Sequence, residues 1–170
     1  MRIGDISWKH IYSSDGMDCM IDPTNSNRIY FSIYNGIFYR SDDKGKSTAR
    51  IANTINENGG WVTPLIMNPY NPKVLFAGYN NVWKNSNYGS GTWVKLSSFG
   101  SSQNLVALAI APSDTNVIYA ANYSNLYATT NGGFTWKTIY TSSSSSITGI
   151  AIDPNNPQRL WISKSGFTGY

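Results

Sequence analysis

Apolar positions in this chain come in short bursts, not long faces. Between residues 105 and 139 the runs "LVALAI", "VIYAA", "NLYATT" and "TWKTI" follow one another, each closed by Pro, Gly, Asn or Ser. Runs of this length, rich in β-branched and aromatic residues and bounded by turn formers, predict β-strands. No stretch of ten or more residues repeats its apolar positions at the helical period. The connections differ in kind. A proline turn, "APSDTN", joins the first two runs; Pro fixes φ, and Asp or Asn beside it bonds the backbone. A tight polar corner, "YSN", joins the second and third. A glycine box, "TTNGGFTW", joins the third and fourth.

Both landmarks recur in phase. The proline turns "IDPTNSN", "MNPYNPK", "IAPSDTN" and "IDPNNPQ" place Pro23, Pro69, Pro112 and Pro154 at spacings of 46, 43 and 42 residues. The boxes "SDDKGKST" and "NSNYGSGTW" precede "TTNGGFTW", and Gly45, Gly89 and Gly133 lie 22, 20 and 21 residues after the preceding proline. Two landmarks holding one phase define a unit of about 43 residues and four strands, which fits a propeller blade. A parallel β-helix needs shorter coils. The expected fold is therefore all-β, with four-stranded antiparallel β-propeller blades, about three of them complete and partial blades at both ends. The divisions are blades 17–52, 61–97 and 104–140 and partial blades 1–16 and 147–170, in one propeller domain or a segment of one. The opening "GDISWKHIY" reads as the tail of another unit, because Trp8-Lys-His-Ile-Tyr parallels Trp136-Lys-Thr-Ile-Tyr. Three completions of the last blade stand open: closure by the N-terminal strand in a small ring, a segment of a larger ring, or copies that complete each other. The segment is the favoured expectation, and an open arc of this kind is expected to associate.

Composition narrows the function classes. Aromatics at 14% favour strands, and charged residues at 13% exclude a charge-rich disordered chain. The net charge of +4 comes from 13 basic residues scattered from Arg2 to Lys164 without a run, so no nucleic-acid face is expected. No apolar stretch is long enough to span a bilayer, so no membrane partner is expected. "MRIGDISWKH" carries no apolar run of the signal-peptide type. The single Cys19, in "MDCMID", cannot form an internal disulfide and reads as a small buried hydrophobe. Asn122 heads a glycosylation sequon, "NYS", and a lone match carries little weight.

The boxes match Ser/Thr-x-Asp-x-Gly-x-Thr-Trp, and through them the chain resembles BNR, or Asp-box, repeat propellers over essentially its whole length. The first box lacks the Trp, the second has an insertion, and the third has Asn for Asp. Such proteins include sialidases, xyloglucan-cleaving glycoside hydrolases, sortilin-type receptors and photosystem assembly factors. "GWVTPLIMNPYNPKVLFAGYNNVWK" and "AIAPSDTNVIYAANYSNLYATTNGGFTWKTI" look closest to glycosyl-hydrolase-like BNR repeat proteins of secreted type. The resemblance implies that the box is a structural clip: the Asp or Asn caps the turn between the outer two strands, Gly permits its backbone, and Trp packs into the blade. Ser41, Asp43, Gly45, Asn87, Gly89, Trp93, Thr129, Asn131, Gly133 and Trp136 are thus expected to serve the fold. Export, to the cell surface or beyond, is expected on the same ground.

Candidate chemistry is sparse. The resemblance puts ligand sites at the corner and inter-blade loops, where the acids are Asp15 and Glu57, with Asp18 opening a first strand. A glycosidase needs two carboxylates, about 5–5.5 Å apart for retention or about 6.5–9.5 Å for inversion. Asp18 with Asp15 or Glu57 is the one pair to propose, and turn capping is the favoured reading of those acids. The Phe/Tyr-Arg-Ile-Pro motif and arginine triad of sialidases are not apparent. Where xyloglucanases place an Asp after the second strand of the opening blade, this chain has Tyr34 and Asn35. The sole His, His10, reads as lying on an edge-like strand without a Cys or His neighbour, so no metal is expected; no phosphate loop occurs and no cofactor is expected. The repeated corner residues Tyr34-Asn35, Tyr79-Asn80 and Tyr123-Ser124 are the remaining hint. Aromatic faces beside amides suit sugar rings or peptides, and packing of Tyr into the blade edge is the competing reading. The expectation is a non-catalytic scaffold or binding module for a carbohydrate or protein partner, with a glycoside hydrolase fragment as the alternative.

Overall fold

A computed structural model describes residues 10–166. The first sheet has the order β1 (Gly16–Ile21), β2 (Ile29–Ile33), β3 (Ile37–Ser41), β4 (Ala49–Ile51). The second runs β5 (Leu65–Met67), β6 (Leu75–Gly78), β7 (Val82–Asn85), β8 (Val94–Lys95). The third runs β9 (Leu105–Ile110), β10 (Ile118–Asn122), β11 (Asn125–Thr129), β12 (Lys137–Thr141), and a fourth pairs β13 (Ile147–Ile152) with β14 (Leu160–Lys164). Every pairing is antiparallel, so each sheet is a meander with neighbours in sequence also neighbours in space. The one helical feature among the described residues is a 3-10 turn at Tyr34–Gly36.

Three apolar layers lie between successive sheets. Leu75 and Ala77 of β6 face the first layer with Tyr30, Phe38 and Trp93, while Phe76 faces the second with Leu105, Ile118 and Tyr127. Likewise Ile118 and Ala120 of β10 enter the second layer, and Tyr119 and Ala121 enter the third with Ile147. The strand period of two thus serves two interfaces, which is why "VIYAA" and "LFAG" read as unbroken apolar runs. The outer faces lack such cover: β1 and β14 are largely exposed, with Ile21 at 62% and Trp161 at 58%. Cys19, expected as a buried hydrophobe, is exposed for this reason, since no sheet among the described residues lies over that face of β1.

The proline turns close as the sequence predicts. In the first, Asp22 Oδ1 accepts from Thr24 N–H (2.8 Å), and the Arg28 guanidinium bonds Asp22 Oδ2 at 3.1 Å. In the last, Asp153 Oδ1 accepts from Asn155 N–H (2.8 Å), and Arg159 bonds Oδ2 at 2.9 Å.

The boxes form turns held by buried short polar side chains. Ser41 Oγ accepts from Gly45 N–H (2.8 Å) and donates to Asp43 Oδ1 (2.8 Å), which accepts from Ser47 N–H (2.8 Å). Thr129 Oγ1 accepts from Gly133 N–H (3.1 Å) and donates to Asn131 Oδ1 (2.8 Å), which accepts from Thr135 N–H (2.9 Å). The middle box departs from this scheme. Asn85, buried, accepts from Asn87 and Gly89 N–H (2.8 Å each) and donates to the Ser90 and Thr92 carbonyls (2.8 and 3.1 Å). Asn87 is exposed, and its side chain bonds no described residue. The longer amide of Asn85 does the work that a hydroxyl and a carboxylate share in the first box, across one extra residue.

Each box glycine also seals a contact with the unit before it. Gly45, Gly89 and Gly133 have φ of +78°, +81° and +96°, and a Cβ there would fall 2.6 Å from Ile11, 2.7 Å from Ile51 and 2.8 Å from Leu96. These three residues share one phase, three positions past Trp8, Thr48 and Trp93. Ile11 therefore stands where the outer strand of a preceding unit would stand. Residues 10–15 form no strand themselves, so His10 is exposed on irregular backbone and not on the expected edge strand. Trp8 lies outside the described residues. Ile139, the next in phase, is 49% exposed.

Trp93 is buried in the first layer and donates from Nε1 to the Gly89 carbonyl (3.3 Å). Trp136, half-buried, donates to the Leu96 carbonyl (3.0 Å) and meets Phe99 edge-on at 5.4 Å.

Candidate functional site

Three corners with nearly one local sequence have three different surroundings. Tyr79 is buried between the first two sheets; its hydroxyl donates to the Gly36 carbonyl at 2.6 Å, and its ring meets Phe38 edge-on at 6.0 Å. Burial pushes its phenol well up. Tyr123 is 52% exposed at the third corner. Tyr34 is half-exposed, and its ring stacks on Trp61 with centroids 5.6 Å apart and planes 14° apart. Asn35, next to it, is exposed with φ of 60° and donates its N–H to the Trp61 carbonyl (3.4 Å).

Trp61 did not stand out in the sequence, because it belongs to neither landmark. Its signal is local: a large aromatic at 60% exposure inside the glycine-rich, polar loop "NENGGW". That loop is held from several sides. With its amide oriented so that the oxygen faces Gly60, the assignment its neighbours require, Asn104 donates to the Asn58 carbonyl (2.9 Å) and accepts from Gly60 N–H (3.0 Å). Thr63 Oγ1, buried, donates to the Gly60 carbonyl (2.8 Å). A Cβ at Gly59 would sit 2.8 Å from the Gly36 backbone, so only glycine allows the loop to lie against the first corner. Asn80 donates to the Ser102 carbonyl at 2.8 Å, tying the second corner to the next inter-sheet loop.

Glu57 is the strongest attachment. Oε2 accepts from Asn81 N–H (3.0 Å) and Trp83 Nε1 (3.1 Å), and Oε1 from Asn81 Nδ2 (2.8 Å) and Lys95 Nζ (2.9 Å). Burial by itself raises its pKa, but the hydrogen bonds from Trp83, Lys95 and Asn81 outweigh it and hold the carboxyl below its usual range. An open groove of about 550 Å³ runs past it, bordered by Asn35, Arg50, Asn58 and Tyr79 with no second carboxylate. Asp18 is exposed on β1 and accepts from Cys19 N–H (2.8 Å); the small cavity it borders likewise has no second acid. Asp15 is exposed ahead of β1.

The sequon residue Asn122 is buried. Its Oδ1 accepts from Ser124 and Asn125 N–H (2.9 and 2.7 Å), and its Nδ2 donates to the Tyr127 hydroxyl (3.2 Å). No cluster of three or more His, Cys, Asp or Glu suited to a metal occurs among the described residues. No helix there is long and apolar enough to cross a membrane.

No family model matches the chain. It is 30% identical, over 140 residues, to a probable oligoxyloglucan-reducing end-specific xyloglucanase of Neosartorya fischeri, covering 70% of this chain and 17% of that protein. The chain thus spans about a sixth of that relative's length, 17%. Among solved structures, a GH74 enzyme of Niastella koreensis matches with a TM-score of 0.69 and 23% identity, over 88% of this chain and 26% of that one. YCF48 bound to a D1 peptide matches with a TM-score of 0.54 and 17% identity, over 81% of this chain and 43% of that one. The GH74 neighbours are β-propellers, and the stacked four-stranded meanders of this chain are propeller blades.

Proposed function

We propose that this chain is a non-catalytic β-propeller segment that binds an oligosaccharide on the Tyr34–Trp61 face, within an exported protein. The observation that carries the reading is the aromatic pair itself: two parallel rings, one 60% exposed, on a loop fixed from three neighbouring parts of the fold. A flat apolar face matches the axial C–H surface of a pyranose, and the exposed Asn35 amide beside it supplies hydrogen bonds to hydroxyls. Similarity to a probable xyloglucanase and to a GH74 enzyme supports a carbohydrate partner, and similarity to YCF48 bound to a D1 peptide supports a protein partner as the other class. Tyr79 supports the first corner through the Gly36 carbonyl, Asn80 ties the second corner to the loop at Ser102, and Tyr123 is a separate contact point. The glycine boxes act as Asp-box clips, in one propeller segment divided at 17–52, 61–97 and 104–140, with partial blades 1–16 and 147–170.

The placement of the acids among the described residues supports the non-catalytic reading. Glu57 spends its lone pairs on four donors, and neither Asp15 nor Asp18 shares a cavity with it. The xyloglucanase relative favours one rival reading, a glycoside hydrolase fragment using Asp15, Asp18 and Glu57. Affinity electrophoresis through xyloglucan decides the first point: retardation is expected for the native chain and lost in Trp61→Ala and Tyr34→Ala. Equal retardation of all three sinks the platform. Reducing-sugar release that disappears in an Asp15→Asn, Asp18→Asn, Glu57→Gln triple variant would establish the hydrolase instead.

A further inference from the structure

We propose that Glu57 is the positioning residue of the aromatic platform, holding the 56–63 loop so that Trp61 stays stacked on Tyr34. This rests on the platform reading above and adds to it the part that makes binding depend on one carboxylate. The loop leaves β4 through a turn closed by Ile55 N–H to the Ala52 carbonyl, with Ile55 packed on the first apolar layer. Beyond that anchor it must reach across the first corner to Trp61. Asn104 and Thr63 hold its middle through backbone groups of Asn58 and Gly60, and Glu57 fixes its start to the second blade. Glu57 alone among these attachments is charged.

The four donors on Glu57 are all N–H or ammonium groups, so only the carboxylate can accept from every one; a protonated acid must turn one oxygen into a donor. The charged and titratable groups that face it are Lys95 of β8 at 2.9 Å, Arg50 of β4 across the groove, and Tyr79 at the second corner. Glu57 is the one carboxylate among these groups, so an acid-dependent change in the platform that Glu57→Gln abolishes reports Glu57 itself. The bonds that hold the carboxylate also lower its pKa. The loop is therefore held above the ordinary carboxylate range and released as pH falls through the lowered value.

The test uses the whole chain labelled with 5-fluorotryptophan, with the Trp61 resonance assigned through Trp61→Phe, and cellohexaose as probe. In Glu57→Gln the Trp61 resonance is expected to shift and broaden at neutral pH, and the native one is expected to do the same on acidification. Cellohexaose binding should weaken about tenfold and lose its acid dependence. Lys95→Gln, at a position with 41% side-chain exposure, removes the ammonium charge on Glu57 without threatening the fold and should move both readouts in the same direction by less. Glu57→Asp should restore part of the native pH profile. An unchanged Trp61 resonance and pH profile in both Glu57→Gln and Lys95→Gln overturns the proposal. If Trp61→Ala binds cellohexaose as the native chain does, the platform reading fails, while the ligand-free resonance still judges Glu57.

Discussion

Replacing Asn85 by Ala should unfold the middle box, whereas replacing Asn87 should leave it intact. Asn85 is 2% exposed and its amide makes four hydrogen bonds, two accepted from Asn87 and Gly89 N–H and two donated to the Ser90 and Thr92 carbonyls. Each such bond contributes about 0.5–1.5 kcal/mol net, and the turn is wet on its outer side, so the loss should be about 2–4 kcal/mol. At about 2–4 °C per kcal/mol for a chain of this size, the melting temperature should fall by about 5–15 °C. Asn87→Ala should change it by less than about 0.5 kcal/mol, the range of an exposed surface substitution. Asn85→Asp keeps both accepted bonds but sets a carboxylate against two carbonyls, so it should not rescue. The assay is urea unfolding followed by tryptophan emission and far-UV circular dichroism, with coincident transitions required before free energies are compared. Equal destabilisation by Asn85→Ala and Asn87→Ala would refute the assignment of the clip to the first asparagine.

Gly89→Ala and Gly91→Ala separate strain from collision. Both glycines have positive φ, +81° and +74°, but a Cβ meets Ile51 at 2.7 Å only at Gly89. Gly89→Ala should therefore cost about 1 kcal/mol or more beyond Gly91→Ala, read from the same urea curves. Acid should loosen the first box before the third. Hydrogen bonds from Ser47 and Ser41 hold the Asp43 pKa far below its ordinary value, so its contribution is present above that ordinary value and lost as pH falls through the lowered one. Asn131 in the third box does not titrate, so at the acid end amide exchange should quicken at Gly45 and Ser47 but not at Gly133 and Thr135. Asn122 should carry no glycan when the chain is expressed in a glycosylating host, measured by intact mass, because its amide is buried and already bonded on both sides.

Much of the blade plan is legible along the chain because its determinants are local. Proline turns, corners and boxes each bond their own backbone within a few residues, so their spacing gives the strand order before any contact is known. Asp43 and Asn131 cap their turns through neighbours four positions on, at Ser47 and Thr135, which a motif can encode. The middle box shows the limit: an inserted residue moves the bonding from Asn87 to Asn85, and only geometry tells which of two asparagines faces inward.

The repeat, the four-strand unit and the turn chemistry of the first and third boxes were determined by sequence alone, since each depends on side chains acting on adjacent backbone. The fates of Tyr34, Tyr79 and Tyr123 were not, because equal local sequences meet unequal neighbours across the blade interfaces. Tyr79 is roofed by the Gly36 corner, while Tyr34 meets Trp61, a residue 27 positions away in a loop with no repeat to announce it. Glu57 likewise looks like turn composition until folding brings Asn81, Trp83 and Lys95 around it. Burial and long-range bonding are properties of the stacked sheets, and those alone decided which aromatic faces remain open to solvent.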